Sequence, residues 1–298
     1  MGIRVFVAGQ SGQVAQSLAK TAPSQVVLGL HGRPDVDITD KDSIARAVEA
    51  FNPDVVINAA AYTAVDQAED ERDAAFAANE AGPRHLADVT ADRGIPLIHL
   101  STDYVFDGSG TRPYREDDPT APLGVYGASK LAGEEAVVAA NPKHIIARTA
   151  WVYGSTGKNF LKTMLRVAAS NDELRVVDDQ RGAPTSSDTI AVALLTIAQS
   201  IVEAGDQAPF GLYHLVSAGE ASWADFAKAI FDESAARGGP SASVVPITTA
   251  EYPTKATRPA YSVLDTAKTR SAFDVILADW REPVGTIVTD VLNEGAQS

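Results

Sequence analysis

A chain of 298 residues, 45% hydrophobic and 21% charged, has ample apolar material for one large domain or two smaller ones, which excludes a disordered or collagen-like polymer. Its 25 basic against 39 acidic residues leave a net charge of −14, the opposite of the basic face a nucleic-acid binder needs, so no nucleic-acid partner is expected. The absence of cysteine excludes disulfide frameworks, thiolate zinc sites and cysteine nucleophiles.

The first half alternates short β-branched runs with longer helical patterns. Strands are predicted over 3–8, 26–30, 54–58, 96–101 and 144–149, near-continuously apolar and therefore buried on both faces, as in a parallel sheet with crossover helices. Helices are predicted between them over 13–20, 42–51, 65–78, 83–93 and 126–139. Pro83 suits only a first turn, so the spacing predicts two separate helices on either side of it. Thr39-Asp40-Lys41-Asp42 reads as a capping box. The fold class that follows is α/β, a doubly wound parallel sheet over residues 1–150. Beyond 150, helices are predicted over 159–169, 188–203 and 223–236 and strands over 174–177 and 212–216. Gly238-Gly239-Pro240 and the stretch 246–259 read as loops. Residues 151–298 then form a smaller C-terminal region that packs on the first and completes a cleft, with some segments returning to the first domain.

No apolar run approaches the roughly 18 residues that cross a bilayer, and the N-terminus enters a glycine turn at Gly9 too early for a signal peptide; a cytoplasmic protein with no membrane partner is expected. His31, His85, His99, His144 and His214 have no metal-ligand spacing, and no metal site is expected.

The first chemical signal is Gly9-Gln10-Ser11-Gly12-Gln13-Val14-Ala15, directly after the first strand. Small residues let the backbone approach a pyrophosphate, and the following helix offers unpaired N–H groups and a positive dipole end. The pattern is G-x-x-G-x-x-A, against the bland alternative of a tight turn with no ligand. After the second strand, Gly29-Leu30-His31-Gly32-Arg33 lacks the acid that would hold a ribose 2′-hydroxyl. Arg33 suits a 2′-phosphate instead, which favours NADPH with NADH possible, unless it is a solvated loop residue. Asp37 and Ile38 border the adenine, or Asp37 starts the next helix.

The second signal is Tyr126-Gly127-Ala128-Ser129-Lys130, a phenol and an ammonium one helical turn apart. A cation within ~4–6 Å favours a phenolate, so the Tyr126 pKa is expected below its usual ~10. Such a Tyr protonates a carbonyl oxygen as hydride arrives at its carbon. Thr102, after the fourth strand, reaches the same crevice at the carboxyl ends of a parallel sheet, although alone it reads as a turn residue. Ala59-Ala60-Ala61-Tyr62-Thr63, after the third strand, lets a flat cofactor lie close to backbone.

These pieces, with Ser101-Thr102-Asp103-Tyr104-Val105-Phe106-Asp107-Gly108, Arg148-Thr149-x-Trp151-Val152-Tyr153-Gly154, Asp179-Gln180-x-Gly182-x-Pro184-Thr185 and Arg258-Pro259-x-x-Ser262-x-Leu264, span nearly the whole chain. In them the chain resembles the extended short-chain dehydrogenase/reductase family, and within it the dTDP-4-dehydrorhamnose reductases. The resemblance implies a Rossmann-like fold and reduction of the 4-keto group of dTDP-4-dehydro-L-rhamnose to dTDP-L-rhamnose. It implies Tyr126 as proton donor, with Lys130 lowering its pKa and holding the nicotinamide ribose, and Thr102 orienting the keto oxygen. Gly12, Gln13, Val14, Asp37, Ile38, Ala61, Tyr62 and Thr63 would contact the cofactor, with Gly9, Ala60 and Ser101 beside them. Asp103, Tyr104 and Trp151 would line the sugar pocket, and Arg181 and Arg258 clamp the diphosphate, unless they are surface ion pairs or, for Trp151, core packing. The resemblance also implies a possible homodimer and, in some members, magnesium held by glutamates; here Gln16, not an acid, follows Ala15. Two alternatives stand beside the reductase: a related nucleotide-sugar epimerase or dehydratase, and a non-catalytic NADP-binding subunit like the regulatory one of methionine adenosyltransferase. Tyr104, where a dehydratase needs an acid, argues against the first. The intact Thr102/Tyr126/Lys130 set argues against the second.

Overall fold

The computed structural model describes residues 2–295. In chain order its first half contains β1 (Arg4–Ala8), α1 (Gln13–Thr21), β2 (Val27–His31), α2 (Lys41–Phe51), β3 (Val55–Asn58), α3 (Val65–Ala68), α4 (Arg72–Phe76), α5 (Gly82–Ala91), β4 (Leu97–Thr102), α6 (Val125–Ala140) and β5 (His144–Thr149). The second half adds β6 (Val152–Tyr153), α7 (Phe160–Ala168), β7 (Glu173–Val177), β8 (Arg181–Gly182), β9 (Thr185–Ser186), α8 (Ser187–Ala204), β10 (Gly211–His214), β11 (Ala221–Ser222), α9 (Trp223–Ala235), β12 (Ser243–Ile247), α10 (Ala267–Phe273) and α11 (Val284–Gly295).

Six strands form one sheet in the order β10-β5-β4-β3-β1-β2, every pairing parallel. From β1 the chain first crosses to β2 on one side and then returns to β3 on the other. The crevice opens at this reversal, beyond the carboxyl ends of β1 and β3. One face of the sheet buries Val5, Val7, Ile57, Ile98 and Ile145 against Leu18 of α1 and Ile190, Leu194 and Ile197 of α8. The other buries Phe6, Val56, Leu97 and Ile146 against Ile44 and Val48 of α2, Leu86 of α5 and Val137 of α6. A separate core of Phe226, Ile230, Trp280, Ile287 and Val288 holds α7, α9 and α11 together. Two segments beyond residue 150 belong to the sheet layer: α8, packed on α1, and β10, paired with β5.

Several expectations need correction. Pro83 does not separate two helices: the chain stays helical from Arg72 to Ala91 through a π-helical turn, Ala77–Ala81. Pro83 has no N–H for the Asn79 carbonyl four residues back, and the wide turn absorbs the missing bond. The break falls earlier, between α3 and α4. The helix after β2 is capped by Asp40, whose carboxylate accepts from the backbone N–H groups of Asp42 and Ser43; Thr39 forms no capping box there. The stretch 246–259 is not all loop, because Pro246 lies inside β12, a strand paired only with β7. Residues Ser187–Gln207 are long and apolar enough by composition to cross a bilayer, contrary to expectation, yet this is the helix laid against α1 and the sheet.

Candidate active site

At the carboxyl ends of β1 to β5 lies a cleft of about 1040 Å³. Its near end is the turn between β1 and α1. Gly9 adopts φ +114°, and a side chain there would press on Ala59 and Ala60. Gly12 caps α1 without a side-chain hydrogen bond, and the first turn carries no acid, so its N–H groups face the cleft unopposed. Gln16 steadies the turn from inside, donating to the Gln10 carbonyl at 2.6 Å. Gly9, Gly12, Gln13, Val14, Arg33, Asp37, Ile38, Ala60, Ala61, Tyr62, Thr63, Ser101, Tyr126 and Lys130 all line this one cavity.

The wall made by residues 60–63 is held by a buried side chain that the sequence did not single out. Asn79 accepts from the Tyr62 N–H at 2.8 Å, donates to the Tyr62 carbonyl at 3.0 Å, and reaches Ser129 of α6 at 3.0 Å. It is placed there by the π-helical turn that Pro83 imposes. The Asn79 carbonyl released by that proline lies against Gly133 of α6, where a Cβ would stand 1.9 Å from the oxygen. No local signal marks Asn79, which sits in a run of alanines.

Tyr126 and Lys130 project from the first two turns of α6 into the cleft. Lys130 is buried and donates to the Leu100 carbonyl of β4 at 2.6 Å. Burial lowers its pKa to about 8, with Glu134 acting the other way. Burial raises the Tyr126 phenol to about 12; the Thr102 hydroxyl opposes the rise and the Asp103 carboxylate adds to it. The expected net lowering is therefore not seen, because desolvation dominates. Tyr104 packs edge-on against Tyr126, ring centroids 5.7 Å apart. Thr102 donates to Asp103 at 3.1 Å and accepts from the Tyr104 N–H at 3.2 Å. Asp103 is buried, which raises its carboxyl to about 6 against the pull of Ser262 and Thr102.

Behind Lys130 lies a buried ion pair. Arg148 of β5 donates twice to Glu134 of α6, at 2.9 and 2.7 Å, and Ser101 of β4 donates to the same carboxylate at 2.5 Å. Thus Ser101 lines the cleft but turns its hydroxyl inward.

Other predicted residues have different surroundings. Arg33 is exposed and paired with Asp37 at 2.8 Å, and this pairing holds the Asp37 carboxyl down at about 2. Trp151 offers no open indole face on one side: Trp223 stacks on it at 3.5 Å with the rings nearly parallel, and the Trp151 ring edge fills the space above Gly182. Its backbone is held at φ +46°, unusual for a bulky residue. Arg181 lies in a separate groove beside Glu220 and Asp225. Arg258 forms a two-pronged pair with Asp66, at 2.8 and 3.1 Å, tying the loop before Pro259 to the start of α3. Among the described residues no three His, Asp or Glu side chains converge to hold a metal. Where Asp188 of α8 meets Asp290 of α11, the Lys20 ammonium sits 2.8 Å from each.

The family described as RmlD substrate binding domain matches residues 3–293. A dTDP-4-dehydrorhamnose reductase from Sinorhizobium fredii is 46% identical over 293 residues, 98% of this chain and 99% of that one. The chain belongs to the dTDP-4-dehydrorhamnose reductase family. A member from Escherichia coli is 38% identical, covering 99% of this chain and all of that one. The crystal structure of a member from Bacillus anthracis in complex with NADP superimposes with a TM-score of 0.90 at 34% identity, covering 97% of this chain and 100% of that one. Membership makes the chain an NAD(P)H-dependent oxidoreductase with a Rossmann-like fold. A UDP-glucose 4-epimerase from Brucella ovis shares that fold, at a TM-score of 0.80 and 18% identity.

Proposed function

We propose that this chain reduces the 4-keto group of dTDP-4-dehydro-L-rhamnose with NADPH, giving dTDP-L-rhamnose, with Tyr126 as the proton donor. The observation that carries the reading is one continuous cleft that begins at the bare amide groups of α1 and ends at Tyr126 and Lys130. The cradle fits a dinucleotide: two glycines admit its pyrophosphate, and the buried Thr149 hydroxyl, without a partner in the protein, faces the same space. The Arg33 guanidinium, held through Nε only, keeps its outer nitrogens for a 2′-phosphate. Bound there, the dihydronicotinamide supplies a hydride to the carbonyl carbon.

The remaining chemistry belongs to side chains. The Tyr126 phenol fixes the keto oxygen, joined by the Thr102 hydroxyl once its one proton swings away from Asp103. A phenol near pKa 12 is fully protonated at neutral pH, so it enters the reaction as an acid and releases its proton to the oxygen as hydride arrives. The neighbouring Lys130 cation offsets the phenolate that remains and orients the ribose hydroxyls with its other N–H bonds. Asp103 and Tyr104 wall the sugar site, and Trp151, braced by Trp223, borders it. Incubation with NADPH and the keto sugar tests the reading: oxidation of the cofactor in step with loss of the ketone supports it. Sugar conversion without oxidation favours an epimerase or dehydratase, and tight NADP binding without conversion favours a non-catalytic subunit.

A further inference from the structure

The buried cluster behind the cleft contains a carboxylate with no direct part in the steps above. Glu134 lies one turn beyond Lys130 on the buried side of α6, and its side chain is 4% exposed. Ser101 and Arg148 both donate to it, which fixes the carboxylate between β4 and β5. Arg148 is itself 3% exposed, stacks over Phe106 with 5.0 Å from guanidinium to ring centroid, and keeps one buried Nη1 without a partner. Two cations are thus held out of water with one anion placed to serve both. Isolated buried charges are unstable, and a long-chain amine under such conditions sheds its proton. The other ionisable groups around Lys130 are Tyr126 on its own helix, His99 on β4 and Asp103 just after it. Burial and the Lys130 charge keep His99 well below its usual pKa, hence neutral. Tyr126 is protonated and Asp103 is drawn towards its neutral form. Glu134, one helical turn from Lys130 and bonded twice by Arg148, is left as the acid that works against the desolvation of Lys130.

We propose that Glu134 is a positioning residue for the active-site ammonium: anchored by Arg148 and Ser101, it is the counter-charge that lets Lys130 act as a cation on a dry cleft floor. The proposal rests on the reductase reading, in which Lys130 holds the cofactor ribose. Through Ser101 the same carboxylate also fixes the end of β4, the strand whose Leu100 carbonyl receives the ammonium.

The test is NADP⁺ affinity measured by calorimetry from pH 5 to pH 10, with turnover followed in parallel. In the native chain affinity falls as Lys130 loses its proton. Glu134→Gln leaves two buried cations facing each other, and the midpoint of that fall moves down by about one pH unit or more, with affinity approaching the native value only below the new midpoint. Arg148→Met frees the carboxylate for Lys130 alone and moves the midpoint up. A purely structural ion pair would lower stability in both variants without moving the midpoints apart. Where Glu134→Gln does not fold, Glu134→Gln/Arg148→Met, which removes both charges, keeps the test open: its midpoint falls below that of Arg148→Met. Unmoved midpoints, or shifts in the same direction, overturn the proposal. Native protein that binds NADP⁺ with this pH dependence but does not turn over the keto sugar refutes the reductase reading alone.

Discussion

Replacing Tyr126 with Phe removes one oxygen from the cleft and little else. The aromatic ring keeps its edge-on contact with Tyr104 at 5.7 Å. Thr102 keeps its bonds to Asp103 and to the Tyr104 N–H. Lys130 keeps the Leu100 carbonyl at 2.6 Å. The hydroxyl it loses is a neutral donor, so stability should change by only about 1 kcal/mol. Turnover loses the whole proton-donation step, which is worth ~10²–10⁴-fold, or about 2.7–5.4 kcal/mol of barrier at ~1.36 kcal/mol per tenfold. The assay is NADPH oxidation at saturating keto sugar, paired with NADP⁺ affinity by calorimetry and a melting curve. The expected pattern is a kcat at least about a hundredfold lower, with NADP⁺ affinity within about threefold and an unchanged melting temperature. A kcat within tenfold of native would refute the assignment of the proton to this phenol.

Further outcomes follow from the same geometry. Because burial lowers Lys130 to about 8 and the charged form is the working one, kcat/KM should be flat below pH 8 and fall about tenfold per unit above it; an ordinary lysine near 10.5 would leave the profile level to pH 10. Asn79→Ala breaks the bonds to both backbone atoms of Tyr62 and should raise the NADPH KM about tenfold while kcat changes little, which initial-rate kinetics decides. Gly133→Ala sets a methyl 1.9 Å from the Asn79 carbonyl and should destabilise the fold by about 3 kcal/mol, read in a urea titration. Exhaustive chelation of divalent metals should leave turnover within about 20% of the untreated protein, since among the described residues no three His, Asp or Glu side chains converge to hold a metal.

The first-half strands were legible because a strand covered on both faces must be apolar at nearly every position. The glycine turn and the Tyr126/Lys130 pair were legible because their chemistry demands particular residues at close spacing. What the sequence hid has a physical reason in each case. β12 carries Pro246 and pairs on one side only, so it lacks a continuous apolar run. Asn79 acquires its position from a π-helical turn that no periodicity announces. The Tyr126 pKa was misjudged in direction, since proximity in sequence says nothing of the desolvation both groups share. Trp151 and Arg258 were recognisable as residues of the second region, but the partners that now hold them, Trp223 and Asp66, come from distant positions.

Transfer of deuterium from NADPH dideuterated at nicotinamide C4 into the sugar puts the whole scheme to a single test. One deuterium should arrive at C4 of a dTDP-L-rhamnose product for each NADPH oxidised, the other staying on NADP⁺. Conversion of the sugar with no deuterium lost from the cofactor, or with deuterium at any other carbon, would contradict it.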